Sequence, residues 1–152
     1  MKKLAALAMT GAIVGGSLLV TTTAAAAEEI GSWKPYGDTN PITSSSSTWS
    51  CNSSREIAPN VVAQVCSIRS PKGGSVQGAV IVRNNNLALF STTAEVDLVN
   101  ATNVEVGYWK CRSSGVGPKS WSVCFGDTRP YSGWVNSGGL AGGISLGISP
   151  GV

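Results

Sequence analysis

From Val61 onward the chain is a series of short runs in which apolar and polar residues alternate. Gly, Pro, Asn or Ser breaks them roughly every ten residues, and no longer window carries an apolar stripe at helical spacing. Alternation with a period of two marks a strand that buries one face. Several such strands at this spacing predict an all-β fold, a small antiparallel β-sandwich or barrel. VVAQVCSIR and VQGAVIVR flank the turn Pro71–Gly74 and read as a hairpin, followed by a turn at Asn84–Asn86. LALFS reads as strand-like. AEVDLV sets Ala94, Val96 and Leu98 against Glu95, Asp97 and Val99, as in a strand with one face in water.

The most aromatic stretch, Tyr108 to Trp134, contains two of the four cysteines. NVEVGYWKC and SWSVCF flank a loop of Gly, Ser and Pro, which predicts a second hairpin with Cys111 opposite Cys124. That register sets Lys110 against Phe125 and Arg112 against Val123. It places Val104, Val106, Tyr108, Trp121, Val123 and Phe125 on the core face, and Glu105, Gly107, Trp109, both cysteines and Ser122 on the other. Asp127 and Arg129, in the turn GDTRP, are expected to form a surface ion pair. The tail alternates Ile144, Leu146 and Ile148 with Ser and Gly, as a terminal strand or a loose Gly-rich end would.

Met1 to Ala27 has the three parts of a secretory signal: Lys2 and Lys3, the uncharged apolar run Leu4–Val20, and a small-residue cleavage site at Ala25–Ala27. The expected organisation is therefore a cleaved signal peptide over 1–27, an extended or mobile lead-in over 28–50, and a single β domain over 51–152. The exported chain is expected to be extracellular and free of the membrane. The whole sequence holds eleven Lys and Arg against eight Asp and Glu. Two of those cations belong to the leader, so the remainder is nearly balanced and gives no electrostatic reason to expect nucleic acid or an anionic membrane as partner.

Cys51, Cys66, Cys111 and Cys124 all lie beyond the leader. An even count in an oxidising compartment reads as two disulfides, for which three connectivities exist. Cys51–Cys66 with Cys111–Cys124 is favoured, because each closes a short loop beside strand-like sequence and each would contribute about 3 kcal/mol. A metal site is not expected, since the four are not in close pairs and the chain has no His.

The absence of His also removes Ser-His-Asp and Cys-His catalysis and the usual neutral-pH proton carrier. No phosphate-binding glycine motif is present, no cofactor is expected, and no catalytic residue is assigned. Glu95 and Asp97, about 7 Å apart on one strand face, with Glu105 opposite, could in principle form a carboxylate pair for glycoside hydrolysis. Alternation alone explains them as a solvated face. Trp109, Tyr131 and Trp134 are the candidate ligand-binding residues, because exposed aromatics bind sugar rings and anchor protein partners. The expected function is a non-enzymatic secreted β domain that binds by its surface, to cell-wall or extracellular polysaccharide. The alternative is an inhibitor of a secreted hydrolase that presents Arg112 to Lys119 as a rigid loop.

The segment Cys66 to Arg129, with VCSIR, the strand end VIVRNNN and the strand and turn WSVCFGDTR, resembles the small proteins that actinobacteria secrete, most of which have no assigned function. The resemblance implies a β-sandwich with two disulfides and brings no catalytic residues with it.

Overall fold

A computed structural model describes residues 28–152; the expected signal peptide lies outside the described residues. Thirteen strands follow in order: β1 (Glu29–Ile30), β2 (Ser32–Gly37), β3 (Thr48–Cys51), β4 (Arg55–Ala58), β5 (Val61–Arg69), β6 (Ser75–Asn84), β7 (Phe90–Asn100), β8 (Glu105–Val116), β9 (Ser120–Phe125), β10 (Arg129–Pro130), β11 (Val135–Asn136), β12 (Gly138–Ala141) and β13 (Ile144–Ile148). They form a two-sheet sandwich. One sheet runs β1-β8-β7-β12-β13, with β11 also on β7; the other runs β2-β9-β6-β5-β3, with β4 on β5 and β10 on β6. Among the described residues only β1 on β8 pairs in parallel. No helix occurs among the described residues.

β5 and β6 pair in one unbroken register from Val61 opposite Asn84 to Arg69 opposite Val76, across the Pro71–Gly74 turn as expected. Their apolar runs are nearly continuous because both faces are covered. Val65, Val80 and Val82 face the other sheet, while Cys66, Ala79 and Ile81 face outward under Ile42, Trp49 and Phe125. Trp49 meets Phe125 edge-on, with ring centroids 6.0 Å apart. In β7 the expected parity holds: Ala94, Val96 and Leu98 are buried.

The expected β8–β9 hairpin does not form. β8 pairs with β7, so Lys110 faces Glu95; β9 lies in the other sheet, and Phe125 faces Ala79 and Ser32. Cys111–Cys124, with Cα atoms 6.0 Å apart, therefore ties one sheet to the other, while Cys51–Cys66 ties β3 to β5 within one sheet. The favoured pairing is the one observed. Both half-cystines of the first bond point inward, and on β8 that parity carries Gly107 and Trp109 inward too. Burying an indole and a cystine outweighs burying Val106 and Tyr108. Val104 is left 57 % exposed before the strand begins.

Residues 28–50 are part of the domain, not a lead-in. β1 closes one sheet against β8 and β2 closes the other against β9, with Gly31 at the crossing, where a Cβ would come within 2.8 Å of Cys111 Sγ. The tail is ordered as the hairpin β12–β13, turning at Gly142 and Gly143, whose φ values of 55° and 79° suit glycine. Leu146 is buried in the core. Arg129 pairs with Glu29 rather than Asp127. Leu87–Leu89 is not strand; β7 begins at Phe90.

Candidate functional site

The alternation in β7 that buries Val96 aims Glu95 and Asp97 at solvent, and neighbouring strands continue two cross-strand rows over them. One row is Lys110, Glu95, Leu140 and Ser145; the other joins Tyr108 to Asp97 and then, through β12 and β13, Gly138 to Ile148. Between them lies an open groove of about 460 Å³. Tyr108 and the two carboxylates bound one side, Leu140 and Ile148 the other, with Gly138 between. A side chain at that position would displace the Asp97 carboxylate, because a Cβ would come within 2.7 Å of Asp97 Oδ1. In its place the Asp97 carboxylate accepts a hydrogen bond from the Gly138 N–H.

The Tyr108 hydroxyl donates to Glu95 Oε2 at 2.6 Å, and Lys110 Nζ stands 3.2 Å from Glu95 Oε1 and 4.0 Å from Glu28. The Tyr108 bond is the largest effect and holds the Glu95 carboxyl below its ordinary value; burial opposes it, and the bond and charge of Lys110 add to the lowering. The same bond, with burial second, pushes the phenol up to about 12. Lys110 is raised by its bond to Glu95. The lining thus carries two carboxylates, Glu95 and Asp97, and Lys110, beside the groove, bridges Glu95 to Glu28.

The expected aromatic platform is not assembled. Trp109 is fully buried. Its indole fills the space over Gly107 and Gly126, where added Cβ atoms would come within 2.1 and 2.3 Å, and Arg129 sits 5.2 Å from the ring centroid. Tyr131 is half-buried against the core, lying over Gly133. Trp134 alone of the three is exposed, at 48 %, and rests on Gly151. Arg112 to Val116 is not a loop either; it continues β8, hydrogen-bonded beside β7, and leaves only Gly117–Lys119 as a turn. Glu95 and Asp97 do converge on the groove, whereas Glu105 lies opposite Val99, exposed and outside it. Among the described residues no three His, Cys, Asp or Glu side chains gather as a metal site would need.

Tyr108, Lys110 and Gly138 are the site residues that sequence reasoning missed. The parity of AEVDLV already marked the wet face of β7; what was lacking was the identity of the strands beside it. Comparison with known proteins gives no matching family model and no matching curated protein.

Proposed function

We propose that the chain is a secreted, non-catalytic binding module that holds an extracellular polysaccharide in the groove over β7, β8, β12 and β13. The observation that carries this reading is the groove itself: an open, side-chain-lined channel with an aromatic residue, two carboxylates, a glycine-lined dip and an apolar wall. Sugars present that combination in reverse, with hydrogen-bond donors around the ring edge and C–H faces above and below. Carboxylates on a rigid strand accept from hydroxyls without reorganisation. The two carboxylates of the lining, Glu95 and Asp97, further favour sugars with free amino groups over acidic ones.

Binding suits the electrostatics better than hydrolysis. A glycosidase needs one carboxyl protonated near neutral pH, its pKa raised by its surroundings. Tyr108 and Lys110 drive Glu95 the other way.

Co-sedimentation with chitosan, chitin, cellulose and peptidoglycan tests the reading. Chitosan is expected to retain the protein best, and Tyr108→Ala or Asp97→Ala is expected to weaken retention roughly tenfold, about the value of one hydrogen bond to a charged group. Retention on none of these polymers, or undiminished retention of both variants, removes the proposal.

A further inference from the structure

We infer that Lys110 sets the specificity of the groove: its ammonium is a tethered competitor at Glu95, which a ligand's amino group displaces and a neutral sugar leaves in place. The inference rests on the glycan reading above and adds to it the residue that governs how strongly amino sugars are preferred over neutral ones.

The register of β7 and β8 makes the two carboxylates of the lining unequal. Lys110 lies directly opposite Glu95, and Tyr108 directly opposite Asp97. The Tyr108 hydroxyl nevertheless crosses diagonally to Glu95 Oε2 at 2.6 Å, while Lys110 Nζ stands 3.2 Å from Glu95 Oε1. Both side-chain donors of β8 therefore serve Glu95, and each of its oxygens is engaged. Asp97 receives neither. Its Oδ1 accepts from the Gly138 N–H on β12, and among the described residues no hydrogen bond or ion pair reaches its Oδ2. Arg55, the cation on the far wall, donates to Ser145 O at 2.6 Å and pairs with neither carboxylate. Asp97 is thus an open acceptor and Glu95 a capped one.

Of the two caps, Lys110 is the one that can leave. Its flexible side chain is 41 % exposed, and a second carboxylate, Glu28, stands 4.0 Å away to keep the ammonium once it is freed. An ion pair this exposed is weak. A ligand ammonium at Glu95 Oε1 replaces like with like, so that the carboxylate keeps a charged donor throughout. A sugar hydroxyl brings no charge in exchange, and Lys110 stays where it is. The groove therefore offers a neutral sugar one carboxylate and an amino sugar two, with Lys110 weakening the second contact by competition. Its removal leaves Glu95 and Glu28 without a cation and should sharpen the preference for amino groups.

The test uses protein recovered from the medium of an exporting host and titrates it with glucosamine tetramer and with N-acetylglucosamine tetramer by calorimetry at low salt. Lys110→Met is expected to bind the amino tetramer about two- to fivefold more tightly than the parent, the range of one exposed ion pair, and the acetylated tetramer within about twofold of it. Lys110→Arg, which still presents a cation to Glu95, is expected to keep the parental preference. In the parent, the ammonium signal of Lys110 in nitrogen NMR should move when the amino tetramer is added and stay when the acetylated one is, which a merely structural lysine would not show. The inference is overturned if Lys110→Met leaves the ratio of the two affinities unchanged, or if it weakens both, which would make the lysine a direct donor to sugar hydroxyls. In either case the parent still binds, and the glycan reading stands without this refinement. If the parent binds neither tetramer, that reading fails and the inference falls with it.

Discussion

The Tyr108–Glu95 hydrogen bond is directional, and its direction fixes how it responds to pH. The phenol is the donor and is pushed up to about 12, so its contribution is complete below the ordinary tyrosine value and is lost as pH rises through about 12. The carboxylate is the acceptor and is lowered, so its contribution is complete above the ordinary carboxylate range and is lost as pH falls through the lowered value. Spectrophotometric titration should therefore show a late tyrosine ionisation, and Tyr108→Phe should abolish that phase and raise the Glu95 pKa read by carboxyl NMR. A late phase that survives Tyr108→Phe would contradict this assignment. At Trp109 the packing leaves no slack: a methyl group at Gly107 or Gly126 would enter the indole. Gly107→Ala and Gly126→Ala should each cost about 1–3 kcal/mol in denaturant unfolding, where a surface substitution would cost almost nothing. The parity of each strand was legible residue by residue. Which parity faced inward was not, because VEVGYWKC alternates equally well either way, and only the partner sheet decides that Trp109 rather than Tyr108 is enclosed.

The strands from Val61 to Phe125 were largely readable, the β5–β6 hairpin down to its turn, because local alternation and turn chemistry act within a few residues, whereas β1 to β4 and β10 to β12 carry too few alternating residues to show. The partners of β8 and β9 were not, since a disulfide between Cys111 and Cys124 fits a cross-strand pair and a bridge between facing sheets equally well. The bridge makes the two disulfides unequal. Removing Cys51–Cys66 by double Ala substitution should cost about 3 kcal/mol. Removing Cys111–Cys124 should cost more, because both of its residues are fully buried and their loss also leaves a cavity between the layers. Equal midpoints in guanidinium would count against that ranking. The edge strand β13 is protected: Asn52 Nδ2 donates to Leu146 O at 2.7 Å and Arg55 Nη1 to Ser145 O at 2.6 Å, which occupies carbonyls that another chain would pair with. Asn52→Ala with Arg55→Ala should therefore make association rise more steeply with concentration than in the parent, visible in sedimentation velocity.

At the scale of the molecule, a sandwich closed by its own N-terminal strands and C-terminal hairpin presents the groove over β7, β8, β12 and β13 as a concave surface. That groove draws on β7, β8, β12 and β13, segments from Glu95 to Ile148, so neither a local motif nor composition could reveal it. Of the three aromatic residues expected to form a platform, Trp109 fills the sandwich, Tyr131 leans on the core and Trp134 stays exposed. The most direct measurement is a titration of isotope-labelled protein with soluble glucosamine oligomers, followed by backbone amide NMR. The largest shifts are expected at Tyr108, Gly138, Gly139, Ser145 and Gly147, with Tyr131 and Trp134 unmoved and the effect gone in Asp97→Ala. Shifts centred on Trp134, or none at millimolar sugar, would contradict a groove that binds glycans.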